Sequence, residues 1–93
     1  MEFFKKLVHE ATVYGVMWCP SNKHLLATAC KDSFVRIYDL SKKEPVPQTL
    51  KGHTKSVFNV VWHPHFNYII ASGSDDYTIR VWDINAVMLF MGV

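Results

Sequence analysis

The chain has 93 residues, of which 49% are hydrophobic and 14% aromatic, the composition of a packed globular protein rather than a disordered one. Its net charge is +2 and its lysines are scattered, with Lys5-Lys6 and Lys42-Lys43 as the only basic pairs, so the charge pattern gives no support to nucleic-acid binding. No apolar run approaches the roughly 20 residues of a membrane helix, and lysines interrupt the amino terminus where a signal peptide has its apolar core.

Two cysteines, Cys19 and Cys30, are too few for a disulfide framework. We predict that both are reduced thiols and that the protein is intracellular and cytoplasmic.

Short runs of β-branched and aromatic residues, separated by turn residues, predict β-strands along the whole chain. No helix is predicted, because no stretch has apolar residues three to four positions apart over a helical length. The predicted strands are, in chain order, Glu2–Val8, Val13–Trp18, His24–Ala29, Phe34–Asp39, Val46–Leu50, Val57–Trp62, Tyr68–Gly73, Thr78–Trp82 and Val87–Met91.

The chain contains an internal repeat of 44 residues. A shift by this length places His53 on His9 and Trp62 on Trp18, and no gap is needed between His9 and Ile84. Such a period indicates repeated units that stack on one another to bury a common core.

Most of the inner predicted strands are apolar on both of their alternating faces. In the sixth strand, Val57 and Val61 lie on one side and Val60 and Trp62 on the other. A sheet with one wet face would alternate apolar and polar residues, so each sheet must be covered on both sides. Repeated four-stranded sheets that stand radially and stack face to face around an axis meet this requirement.

The second repeat resembles the WD40-repeat family. Its matching residues, at that family's spacing, are Gly52-His53, the segment Ser72–Asp76 and Trp82-Asp83. The first repeat departs from the pattern, since Val8 stands in place of the glycine and Tyr38 in place of the tryptophan.

The resemblance implies an all-β fold, namely two four-stranded antiparallel blades of a β-propeller in an incomplete ring. The blades would be Val13–Leu50 and Val57–Met91, and Glu2–Val8 would be an extra outer strand of a preceding blade. The chain would then divide into residues 1–8, 9–50 and 51–93. Two blades do not close a ring, so we expect exposed apolar sheet faces and a homo- or hetero-oligomer, or a piece of a longer propeller, rather than a lone monomer.

Ser72, His53 and Asp76 form a possible Ser-His-Asp triad, which would make the chain a hydrolase. The family resemblance implies a structural role instead, in which these residues and Trp82 form a hydrogen-bonded tetrad. The structural reading is favoured, because Ser72 lies within a predicted strand and no helix follows it. The equivalent set in the first repeat comprises His9, Thr28, Asp32 and Tyr38.

His63-Pro64-His65 suggests zinc, but a closed zinc site needs four ligands at short spacings and the chain has no Cys-x-x-Cys. Gly52 alone does not make a phosphate-binding loop. We therefore predict no metal, no cofactor and no small-molecule substrate.

The resemblance also implies a docking rim, made by the loops that precede the first strand of each blade and follow the second. The candidate rim contacts are Glu10, Ala11, Thr12, Lys31, Thr54, Lys55, Ser56 and Asp75. We expect a non-catalytic scaffold that binds other proteins or further blades. The alternative is a purely architectural subunit of a large cytoskeletal or ciliary assembly, and the hydrolase is the least favoured function.

Overall fold

The structure is a computed structural model that describes residues 4–86. Within these residues seven strands form two antiparallel sheets. The strands are β1 (Val13–Cys19), β2 (Asn22–Cys30), β3 (Val35–Asp39), β4 (Gln48–Leu50), β5 (Val57–Trp62), β6 (Ile69–Ser74) and β7 (Ile79–Asp83). The first sheet has the order β1-β2-β3-β4 and the second the order β5-β6-β7. The predicted all-β fold with repeated antiparallel sheets is confirmed.

The observed strand bounds lie within two residues of the predicted ones, and those of β5 are identical. β4 begins at Gln48 rather than Val46, because Pro47 has no N–H to donate to the sheet. The strand predicted at Val87–Met91 lies outside the described residues.

The predicted strand Glu2–Val8 is not formed over residues 4–8. Among residues 4–86, no strand is paired with this segment in a hydrogen-bonded ladder. Lys5 Nζ anchors it instead, by donating to the backbone oxygens of Lys42 and Lys43 at 3.2 and 3.1 Å. Leu7 and His9 are half-buried while Val8 between them is exposed, so the segment is extended and has one face against the first sheet.

The prediction that the chain contains no helix is wrong, since residues 84–86 are helical. The Asp83 carboxylate accepts hydrogen bonds from the N–H groups of Asn85 and Ala86, each at 3.0 Å. This is the geometry of a helix N-cap, and the capping residue Asp83 is also the last residue of β7.

The repeat is visible in the backbone as well as in the sequence. Ser33 and Tyr77, which are 44 residues apart, both have a positive φ, of 77° and 69°. Each lies in the turn after the second strand of its sheet. The strand registers also correspond, because Thr28 pairs with Arg36 as Ser72 pairs with Arg80.

The two sheets pack face to face, and the core lies between them. Trp62, 1% exposed, is the largest fully buried side chain, and its Nε1–H donates to the backbone oxygen of Met17 at 3.0 Å. Gly15 permits the close approach of β1 and β5, since a Cβ at this position would lie 3.0 Å from the oxygen of Phe58. The other core residues include Ala27, Ala29, Val35, Ile37, Leu50, Val57, Val60 and Ile70.

Within the described residues, the outer face of each sheet is open and apolar, as expected for an incomplete ring. On the second sheet Val61, Ile79 and Val81 are exposed, and on the first sheet Val16 and Trp18. The chain therefore forms one internal sheet-to-sheet interface and has an apolar surface at both ends of the stack.

Candidate functional site

The structure brings the four predicted residues of the second repeat together. His53 precedes β5, Ser72 lies in β6, Asp76 in the turn after β6, and Trp82 in β7. His53 Nδ1 lies 2.9 Å from Asp76 Oδ2, and His53 Nε2 lies 2.7 Å from Ser72 Oγ. The Trp82 Nε1–H donates to Ser72 Oγ at 2.8 Å.

One assignment of hydrogens satisfies the whole network. The His53 Nδ1–H donates to the Asp76 carboxylate, the Ser72 hydroxyl donates to His53 Nε2, and the Trp82 N–H donates to the Ser72 oxygen. Because Ser72 and His53 are buried, their polar atoms form hydrogen bonds with these side chains instead of with water. The network thus ties the loop before β5 to the turn after β6 and to β7.

The same geometry does not leave Ser72 arranged as a nucleophile. Its side chain is buried within the sheet, and its oxygen already accepts the Trp82 N–H. A nucleophilic serine needs an exposed oxygen beside donors that can receive an oxyanion. The arrangement can hold a fold together.

Asp76 accepts more hydrogen bonds than the other members. The pKa of its carboxyl lies well below its ordinary value, first because the Thr78 hydroxyl donates to it, and further because His53 and the backbone N–H groups of Thr54 and Thr78 donate to it. Each of these bonds favours the ionised form.

We expect the stability contributed by Asp76 to be lost in acid. Since its pKa is depressed in the folded state, the unfolded chain takes up the proton first as pH falls, and stability declines below about pH 4. Asp76→Asn should be less stable than the wild type at pH 7 and should show a shallower decline between pH 5 and pH 2, measured by urea unfolding. Asp75→Asn removes the same charge at an exposed neighbouring residue, and equal declines in all three proteins would contradict the prediction.

The first repeat brings together only part of its predicted set. His9 Nε2 lies 2.9 Å from Thr28 Oγ1, and the Tyr38 hydroxyl lies 3.5 Å from the same nitrogen. Asp32 is not bonded to His9. It forms a two-pronged ion pair with Arg36, a residue that the sequence analysis did not assign to the network.

The ion pair between Asp32 and Arg36 shifts the pKa of both residues. Burial raises the pKa of Asp32, but the Arg36 guanidinium, Cys30 and the Phe34 N–H outweigh it, and the pKa lies below its ordinary value. The hydrogen bond to Asp32 raises the pKa of Arg36. The pKa of Tyr38 is raised mainly by burial, which disfavours the phenolate.

The glycine of the second repeat, Gly52, explains why the Arg80 side chain contacts a different residue from the one that Arg36 contacts. Gly52 has no Cβ, and one built there would lie 2.8 Å from Arg80 Nη1 and 2.9 Å from the Trp82 ring. The Arg80 guanidinium lies over the Trp82 ring at 5.9 Å from its centroid. In the first repeat Val8 stands at the glycine position, and the arginine turns to Asp32. The substitution of glycine by Val8, which the sequence showed, was thus the signal for the altered network.

The predicted rim residues lie at one edge of the two sheets. Lys31 N donates to Thr12 O at 2.8 Å, and Asp75 N donates to Ser56 O at 3.0 Å, so each loop is bonded to the turn beside it. Ser56 Oγ donates to Lys31 O at 3.3 Å and joins the two pairs. Ala11 and Ser56 are half-buried, whereas the exposed members are Glu10, Thr12, Lys31, Thr54, Lys55 and Asp75.

Tyr77 lies at the same edge and was missed by the sequence analysis. Its side chain is 94% exposed, the most exposed large hydrophobic residue in the described part of the chain. A bulky residue with positive φ is unusual, and the signal in the sequence was its equivalence to the turn position Ser33.

Within residues 4–86, no three His, Cys, Asp or Glu side chains converge as metal ligands would. His63 Nδ1 accepts the N–H groups of His65 and Phe66 at 3.1 and 3.2 Å, so this nitrogen holds the turn between β5 and β6. In the same part of the chain, no helix has the length and hydropathy to span a membrane.

The model of the WD domain, G-beta repeat, matches residues 2–39 and 45–83. The chain belongs to the WD40-repeat family. The first match covers β1, β2 and β3, and the second covers β4 of the first sheet together with the whole second sheet.

One solved WD40 structure resembles this chain over most of its length. It is the WD40 domain of coronin from Toxoplasma gondii, with 35% sequence identity and a TM-score of 0.76. The match covers 84% of this chain but only 22% of the coronin chain. The two sheets are therefore WD40 blades, and they form an open part of a propeller rather than a closed ring.

Proposed function

We propose that this WD40 chain is a non-catalytic scaffold that binds another protein on the rim formed by residues 10–12, 31, 54–56 and 75–77. WD40 domains are in general protein-interaction scaffolds, and what is proposed here is the surface that carries that role in this chain.

The observation that carries the proposal is the rigid attachment of exposed side chains. Backbone hydrogen bonds join each loop to its neighbouring turn, and the Ser56 hydroxyl joins the two blades. Lys55 and Asp75 project from this edge and are exposed. A partner that docks here would not have to order the loops, which lowers the entropic cost of binding.

Tyr77 adds an aromatic anchor to the rim. The left-handed conformation costs a non-glycine residue about 1–2 kcal/mol, and the exposed ring gains no packing in return within the described residues. Tyrosine is enriched among residues that dominate binding energy at protein interfaces. The exposed tyrosine on this strained turn supports docking of another protein at the rim.

The test is capture of partners by the tagged chain, compared among variants. Lys55→Glu and Tyr77→Gly should each reduce recovery of the same bound protein several-fold, and Tyr77→Gly should leave the fold intact because glycine favours positive φ. Lys23→Glu makes the same charge change at the opposite end of β2 and should bind as the wild type does. Equal recovery by all four proteins would contradict docking on this rim.

The non-catalytic part of the proposal rests on the burial of Ser72. Ser72→Ala should lower stability, because it leaves the Trp82 N–H and His53 without their partner, and should change no hydrolytic rate. An ester or peptide hydrolysis activity that is abolished by this substitution would establish the hydrolase instead.

The second candidate is an architectural subunit, held in an assembly by its apolar sheet faces. Exposed Val61, Ile79 and Val81 favour it. Association through the charged rim should weaken as salt is added, whereas stacking of apolar faces should not. Free, buried Cys19 and Cys30 support a reducing intracellular location, the cytoplasm or a cytoskeletal or ciliary assembly within it.

A further inference from the structure

The interface inside the chain provides a template for a second one. Trp62 and Val60 of the second sheet pack in the core against the face of the first sheet that carries Ala27 and Ile37. The Trp62 indole N–H is bonded to the Met17 oxygen, which fixes the register of β5 on β1.

The 44-residue repeat places equivalent residues on the two open faces. Trp18 and Val16 on the first sheet correspond to Trp62 and Val60, and Trp18 is 55% exposed where Trp62 is 1% exposed. The open face of the first sheet is therefore a copy of the face that the second sheet buries.

The open face of the second sheet corresponds in the same way to the buried face of the first. Its members Val61, Ala71, Ile79 and Val81 correspond to Met17, Ala27, Val35 and Ile37. Ile79 is 79% exposed, whereas Val35 is fully buried. The chain thus carries both halves of a contact that it already makes once.

We infer that a second copy of this chain docks head to tail. The open face of its first sheet packs on the open face of the second sheet of its neighbour, and its Trp18 N–H donates to the neighbour's Val61 oxygen. The two surfaces differ, so the contact is heterologous and each copy keeps one free face for the next. This surface is distinct from the rim, and neither proposal depends on the other.

Two features of the open faces are compatible with this register. By the repeat, residues 4–9 correspond to residues 48–53, which form β4 of the first sheet and the loop before β5 and leave the internal interface unobstructed; His9 contacts Thr28 as His53 contacts Ser72. Asn59 stands where Gly15 does, but its side chain folds along the sheet, since Oδ1 accepts the Gly73 N–H at 3.1 Å and the missing Cβ of Gly73 leaves it room.

The test is the mass of the purified 93-residue chain in solution, measured by sedimentation across the micromolar range. We expect the average mass to rise with concentration. Trp18→Lys and Ile79→Lys each disable a different face, and each should weaken self-association by at least about tenfold. Val46→Lys places the same charge at an exposed apolar residue between β3 and β4, away from both open faces, and should associate as the wild type does.

Mixing the two disabled variants tests the head-to-tail arrangement itself. Trp18→Lys retains an intact second-sheet face and Ile79→Lys an intact first-sheet face, so the mixture should form a capped one-to-one dimer although each variant alone stays monomeric. Circular dichroism is used to check that both variants are folded. A wild type that stays monomeric, or a mixture that does, overturns the inference, and loss of partner capture by the rim variants would not alter either result.

Discussion

Replacement of Trp62 by alanine is expected to lower the free energy of unfolding by about 3–5 kcal/mol, the range for a large aromatic side chain removed from a core. Trp62 is 1% exposed and is the largest side chain between the two blades. Its loss leaves a cavity and removes the indole N–H from the Met17 oxygen, which lies within the interface. The measurement is urea unfolding at a protein concentration low enough to suppress association.

Trp18→Ala is the matched control, because it removes the same side chain at the equivalent position of the other repeat. Trp18 is half-exposed in the single chain, so the cost should stay below about 1 kcal/mol. Trp62→Phe keeps most of the volume and loses the N–H, and should cost about 1 kcal/mol from the hydrogen bond in addition to any repacking. Equal costs for the alanine variants would show that the two blades do not pack as described.

The repeat and the strand pattern were sufficient to predict the fold. β5 has the bounds expected from the sequence because its apolar residues are flanked by polar turns on both sides, His53 to Ser56 before it and His63 to His65 after it. Apolar residues on both strand faces predicted that the sheets would be stacked. The buried Trp62 and the exposed Trp18 show the two outcomes of that pattern, one where a neighbouring sheet is present and one where it is not.

Elements at the ends of the chain were predicted less well, because their conformation depends on partners rather than on their own pattern. Residues 4–8 include the apolar Phe4, Leu7 and Val8, but a strand also requires a neighbour with free N–H and C=O groups. The helical residues 84–86 follow from one local cap, the Asp83 carboxylate, which the apolar pattern of the region concealed.

The tetrad of the second repeat could be read from residue types, whereas the network of the first could not. Asp32 and Asp76 occupy equivalent positions, yet one pairs with Arg36 and the other with His53. The choice depends on where the arginine side chain finds space, and Gly52 gives Arg80 that space beside Trp82. The spacing of the aspartates therefore does not predict which residue each one pairs with, because the pairing depends on the packing of neighbouring side chains in the fold.

His53→Ala should therefore be much more costly than His9→Ala. In the second repeat the substitution removes the partner of the buried Ser72 hydroxyl and one donor to Asp76, and we expect a loss of about 2–4 kcal/mol in the free energy of unfolding. In the first repeat His9 is only half-buried and has Thr28 as its one short side-chain contact, so the loss should be about 1 kcal/mol.

A double-mutant cycle separates the energy of the hydrogen-bond network from the effect of removing side-chain volume. The double variant His53→Ala/Ser72→Ala should lose less free energy of unfolding than the sum of the two single losses, by about 1 kcal/mol or more, because both substitutions break the same bond. The corresponding cycle for His9→Ala and Asp32→Ala should be additive to within about 0.5 kcal/mol, since Asp32 is bonded to Arg36 instead. Strong coupling between His9 and Asp32 would mean that the first repeat forms the same network as the second, against the geometry of its arginine.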